Sequence, residues 1–147
     1  MNTMISFMRY FEAFEDAVAN GNWDTVKACL AENVHYTVVN VPFACDLKGR
    51  EKVVTGMQKS IGNFDAQLDE RMLEIVSISR INPDEIRVEL ISGYQQGAEI
   101  LRLPVSMNIK SESGLISEIN DVYDPVWIEG ATIWLERNAS GLDPSYV

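Results

Sequence analysis

Residues 115–124, Leu-Ile-Ser-Glu-Ile-Asn-Asp-Val-Tyr-Asp, close a run of four β-rich segments and decide the fold. Ahead of them, 71–82, 86–95 and 98–110 are equally rich in Ile, Val and Leu, and such branched side chains suit a pleated, half-buried surface. Each break between segments reads as a reversal. In Asn82-Pro83-Asp84-Glu85 the proline presets φ, Gln96-Gly97 contributes a glycine, and Ser111-Glu112-Ser113-Gly114 forms a longer polar turn. Pro104 lacks a ladder donor, which points to an edge or a bulge in its strand. The four segments make an antiparallel meander.

The first half of the chain is helical. Phe7, Phe11, Phe14 and Val18 recur at helical spacing and form an apolar stripe that stops at Asn20-Gly21. Asn22 is placed to cap a short helix from Trp23 or Asp24 to Leu30. A strand follows over 34–39, then a loop from Asn40 to Lys48 containing Pro42, then a third helix from Gly49-Arg50 through Met57 to Ile61. After the meander, 125–137 reads as a helix bearing Trp127, Ala131 and Trp134 and weakened by Gly130. Residues 1–138 are expected to be one domain and 139–147 a frayed tail. Helices first and a meander afterwards imply an α+β cone, its helices packed on one face of a curved antiparallel sheet around a cavity.

Composition narrows the partners. The 147 residues include 22 acidic and 12 basic side chains, a formal charge of -10, which disfavours a nucleic-acid backbone or an anionic membrane. Cys29, Cys45 and the single His35 have no metal-ligand spacing, so no metal or other cofactor is expected. No secretion signal and no apolar run of about 18 residues is seen, and a cytoplasmic protein is the expectation.

Alternation along the last strand sets Leu115, Ser117, Ile119, Asp121 and Tyr123 on one largely apolar face. Asp121 is therefore expected to project into the cavity, where a carboxylate without a partner costs several kcal/mol or takes up a proton. That makes it the leading acid/base candidate; the bland reading is a carboxylate that accepts one buried hydrogen bond. Glu74 shares a face with Met72, Val76 and Ile78, and inside the cavity it would pair with Asp121. Leu73 and Ile75 make the opposite face equally apolar, so the register is open. Tyr36, Tyr94 and Tyr123 are candidate hydroxyl donors or aromatic walls. His35 alternates away from Val34, Tyr36 and Val38 and is expected outside. Trp127 and Trp134 either close the cone or cover a dimer face.

This order of elements resembles, over nearly the whole chain, the nuclear transport factor 2-like (cystatin-like) superfamily, which includes ketosteroid isomerases, SnoaL-like polyketide cyclases and limonene-epoxide hydrolases. Residues 89–92 (Glu-Leu-Ile-Ser), 103–105 (Leu-Pro-Val) and 119–124 (Ile-Asn-Asp-Val-Tyr-Asp) resemble the E-R-V-D, L-P-V and W-R-D-Y-F-D blocks of limonene-1,2-epoxide hydrolases, at the same joint spacing. Asn40-Val41-Pro42 ahead of Gly49-Arg50 resembles that family's N-x-P loop before G-R. The resemblance puts Asp121 on one aspartate of an Asp-Arg-Asp triad and Asn40 on a water-holding asparagine. Leu90 stands at the arginine, Ser92 at the second aspartate and Val38 at a tyrosine. Leucine and serine cannot fix a carboxylate's charge and orientation as arginine and aspartate do, so the triad is degenerate. The ketosteroid isomerase positions fall on Phe14, Val38 and near Val105, none of which matches. In SnoaL-like cyclases the acid/base aspartate of G-K-I-V-E-H-W-D corresponds to Asp121 at the end of 114–121.

The resulting expectation is a cofactor-independent enzyme acting on a small apolar molecule, as an isomerase or cyclase, or as an epoxide-opening hydrolase if Glu74 supplies the missing charge. Asp121 would move the proton, Asn40 or a tyrosine would orient substrate or water, and Tyr36, Val38, Glu74, Ser92, Tyr94, Val105, Met107 and Tyr123 would line the pocket. The alternative is a ligand-binding or dimerisation module without chemistry. The resemblance also implies a homodimer.

Overall fold

In the computed structural model, which describes residues 2–139, the chain runs α1 (Thr3–Asn20), α2 (Asp24–Cys29), β1 (Leu30–Val39), β2 (Cys45–Lys48), α3 (Arg50–Asn63), β3 (Glu70–Asn82), β4 (Glu85–Gln96), β5 (Glu99–Glu112), β6 (Leu115–Tyr123) and α4 (Ile128–Asn138). Of the expected tail, 140–147 lies outside the described residues. The six strands form one open sheet in the order β2-β1-β6-β5-β4-β3. Every pairing is antiparallel except β1 with β6, whose connection passes through the whole meander. The α+β expectation is borne out, and the meander is the continuous β3-β4-β5-β6 half of the sheet.

Local chemistry sets the helix ends. Asn2 accepts the Ile5 N–H at 3.0 Å and starts α1. Gly21 ends it in the left-handed conformation at φ 76°, its N–H returning to the Ala17 carbonyl. Gly21→Ala keeps open space around the new methyl but forces a Cβ into that region. It is expected to lower the unfolding free energy by about 1–2 kcal/mol in urea titration. The cap of α2 is Trp23 rather than Asn22, although the Asn22 side chain still accepts the Asp24 N–H at 3.2 Å. Leu30 opens β1 instead of ending a helix, because its buried side chain faces Ile116 across the sheet.

Two departures come from pairing that no local pattern reveals. Residues 45–48, read as loop, form β2 because Leu47 and Cys45 bury beside Tyr36 and Val38 of β1. In β6 a bulge at Ser117 breaks the alternation, as Lys110 pairs with Glu118 but Ser111 pairs with Ile116. Ile116 is therefore fully buried while Leu115 and Ser117 are only half-buried; beyond the bulge Ile119, Asp121 and Tyr123 face inward as expected. Pro104 stands one residue beyond the last β5–β6 pair, Val105 with Tyr123, where β5 has become an edge.

Helix α1 crosses the inner face of β4, β5 and β6, and α3 lies against β1 and β2. One core forms between them, with Phe7, Val34, Val53, Leu103, Ile109 and Ile119 removed from solvent. Trp134 joins this core, whereas Trp127 is 45% exposed and does not close the cone. No helix of the described residues is long and apolar enough to cross a membrane.

Candidate functional site

Between the helices and the concave side of the sheet lies a cavity of about 110 Å³. Its walls are mainly aromatic and aliphatic, and Phe43, Phe64, Tyr94 and Tyr123 form a contiguous ring cluster with centroids 5.2–6.4 Å apart. At about 10–15 Å³ per water-sized atom, the space accommodates on the order of ten non-hydrogen atoms.

Asp121 projects into this cavity from the middle of the sheet, flanked in register by Val38 on β1 and Met107 on β5. It is 8% exposed. The Tyr36 hydroxyl donates to Oδ2 across a long 3.5 Å, and Oδ1 is buried with no hydrogen-bond partner. Burial disfavours the charged form and pushes the carboxyl up to about 7, with the Tyr36 hydrogen bond opposing only weakly. No arginine or lysine pairs with it among the described residues.

Hydroxyls surround the acid. Tyr10 from α1, Tyr36, Tyr94 and Tyr123 all line the cavity, and burial raises the pKa of each, so they stay protonated donors at neutral pH. Ser92 lies 3.3 Å from the Tyr123 hydroxyl. The Cys45 thiol is pushed up to about 11 by burial and then by the charge of Asp121, and it is therefore an inert wall.

A second charged group occupies the cavity wall where the sequence pointed to none. Arg71, the first inward residue of β3, has Nε 2.8 Å from Asp65 Oδ2 and donates from Nη1 to Glu15 at 3.2 Å. Its guanidinium lies 5.3 Å from the centre of the Phe14 ring. Asp65 comes from the 3-10 turn Asp65–Gln67 after α3, and its side chain is 9% exposed. Burial raises the Asp65 carboxyl and Arg71 pulls it back, leaving it at about 6. Neither residue makes a hydrogen bond or ion pair with Asp121 among the described residues. A carboxylate in a polar turn and an arginine at a strand start are ordinary in sequence, and only the fold turns both inward.

The candidates read from sequence divide accordingly. Tyr36, Val38, Ser92, Tyr94, Val105, Met107, Asp121 and Tyr123 converge on the cavity. Glu74 does not. Arg71 pairs with Tyr94 in the β3–β4 ladder, so 71, 73 and 75 face inward and Glu74 turns out to Arg102, 3.2 Å away in solvent. Asn40 does not line the cavity either; it sits at φ 70° and donates from Nδ2 to the Tyr123 carbonyl at 2.8 Å, tying the β1 exit to the end of β6. His35 points away, 2.6 Å from Asp46 on β2.

No family model matches the chain, and no curated protein matches it in sequence. Solved structures do match. An LEH-like epoxide hydrolase of M. tuberculosis is 20% identical with a TM-score of 0.65, over 91% of this chain and 92% of that one. An NTF2-like protein from Anabaena variabilis is 17% identical with a TM-score of 0.63, over 84% and 90%. A protein of ketosteroid isomerase-like fold from Catenulispora acidiphila, solved with trimethylamine, is 16% identical with a TM-score of 0.62, over 94% and 96%. Identities this low establish likeness of backbone and leave the chemistry to the side chains. The helices, the open six-stranded sheet and these superpositions together give the chain the nuclear transport factor 2-like fold.

Proposed function

We propose that the cavity is the active site of a cofactor-independent enzyme in which Asp121 moves a proton on a small, mostly apolar molecule, as in an isomerisation or cyclisation. The observation that carries this reading is the buried, unpartnered Oδ1 of Asp121 beside an open cavity. A structural carboxylate of this burial would have its oxygens satisfied. With its carboxyl near 7 it exchanges a proton readily at neutral pH, which suits general acid–base work. Epoxide opening is the weaker branch, because it needed charge from Glu74 and that side chain lies outside the cavity.

The non-catalytic binding module is favoured by one observation, the absence of any charged group fixing Asp121. Phe14 and Met57 do line the cavity, but they leave it open. A second copy covering the outer sheet face, where Met72, Val76 and Ile100 are exposed, belongs to the same proposal. Sedimentation at twice the monomer mass supports it, and monomer alone removes it.

Cyclohex-3-enone is a suitable probe, small enough for the cavity and isomerised to the conjugated ketone by proton transfer alone. The wild type is expected to accelerate its conversion, followed by ultraviolet absorbance, and Asp121→Asn to lower kcat about 10²–10⁴-fold. Binding without conversion supports the module instead. Full activity in the variant removes Asp121 from the chemistry.

A further inference from the structure

Two acids face one cavity from different walls, and their surroundings differ in charge. Asp121 has a tyrosine hydroxyl and no cation beside it, whereas Asp65 has the Arg71 guanidinium at 2.8 Å. Asp65 is also more than nine-tenths buried at its side chain, and its Oδ2, despite that ion pair, makes no well-directed hydrogen bond. We infer that Asp65 is the second catalytic carboxylate of the cavity: held ionised by Arg71, it takes the proton from the guest's carbon while protonated Asp121 gives one to the guest's oxygen. This division rests on the proton-transfer reading above and extends it to a substrate class, a compact carbonyl compound with an acidic C–H at one end and an acceptor oxygen at the other.

The step balances without a further reagent. Asp65 carboxylate removes a proton from the carbon next to the carbonyl, and the C–H electron pair becomes a C=C bond. The carbonyl π pair moves to oxygen, which takes the Asp121 proton, giving a dienol. The reverse transfers then deliver the Asp65 proton to the far end of the dienol and return the oxygen's proton to Asp121. Both carboxyls recover their starting state.

Arg71 is a positioning residue here. Glu15 anchors its Nη1, the Phe14 ring supports the guanidinium, and Asp65 accepts at Nε, so α1 fixes the orientation of the acid on the turn. The groups facing Asp65 are Arg71 from β3, Glu15 from α1 and Tyr94 from β4; those facing Asp121 are Tyr10 from α1, Tyr36 from β1, Cys45 from β2 and Tyr123 from its own strand. The carboxyls, at about 6 and about 7, place the working form, Asp65 ionised with Asp121 protonated, in a narrow window between those values.

The full chain is tested in two ways. With cyclohex-3-enone, the wild-type kcat is expected to follow a bell centred between pH 6 and 7, and Asp65→Asn to lower it about 100-fold and remove the acidic limb. Asp65→Glu should restore part of the rate with that limb moved. Carboxyl ¹³C NMR with unreactive cyclohexanone provides a readout without turnover, in which the titrations of both Asp65 and Asp121 shift as the guest saturates. An Asp65→Asn enzyme that keeps its rate and its acidic limb overturns the inference, and so does an Asp65 resonance indifferent to cyclohexanone while Asp121 responds. In either case the role of Asp121 stands. Should neither resonance move, or the wild type leave the enone unconverted, the reading of the cavity falls and the division of roles falls with it.

Discussion

Asp121→Asn is expected to stabilise the protein by about 4 kcal/mol at pH 8 and to leave it nearly unchanged at pH 4. The carboxyl is raised from 3.8 to about 7, which corresponds to roughly that free energy. The sign follows from which state holds the proton. The folded chain keeps Asp121 protonated to higher pH than the unfolded chain, so stability is fully present below pH 4, declines as pH rises from about 4 to about 7, and stays reduced above. An amide of the same shape carries no charge to desolvate, and the variant lacks that decline. Urea unfolding at pH 4 and pH 8 measures the difference, and a melting temperature raised by about 10 °C at pH 8 is its thermal counterpart. A variant equally or less stable than wild type at pH 8 would show that water or a rearranged donor already solvates Asp121. The same substitution is expected to abolish turnover, and a gain in stability coupled to loss of activity separates a functional acid from a structural one.

Arg71→Met moves stability the other way. It removes the only cation within an ion-pair distance of Asp65 among the described residues and leaves that buried carboxylate alone, a loss of about 3–5 kcal/mol near pH 8. Asp65 then rises above its present value of about 6, and the destabilisation shrinks as pH falls toward 4, where the group is protonated in both folded and unfolded chains. The double variant Arg71→Met with Asp65→Leu should recover most of the loss, because an apolar pair of similar volume needs no compensating charge. Equal losses at pH 4 and pH 8 would place the role of Arg71 in packing against Phe14 instead.

The physical origins of what was legible differ from residue to residue. Ile119, Asp121 and Tyr123 were readable because alternation is strict along an unbroken strand and two greasy neighbours report on the third. Leu115 and Ser117 were misread because the bulge at Ser117 depends on how β5 meets β6, and a strand's own sequence does not record its partner's register. Glu74 failed for a related reason. Both faces of β3 carry apolar side chains, and the choice between them is made by Arg71 lying opposite Tyr94. Asn40 was placed by resemblance at a site, yet its amide is spent on the Tyr123 carbonyl, a local bond that requires the fold to bring residues 83 positions apart together.

The order of residues along the chain determined the helices, the meander and the inward aspartate, since these rest on periodicities and turn preferences that act within about ten residues. Tertiary structure alone decided which second acid reaches the cavity. Asp65 and Arg71 look like surface charges in sequence, and they are buried together only because a short 3-10 turn, the start of β3 and the face of α1 carrying Phe14 and Glu15 meet at one end of the cone. Attraction between charges depends on distance in space, and separation along the chain carries no record of it.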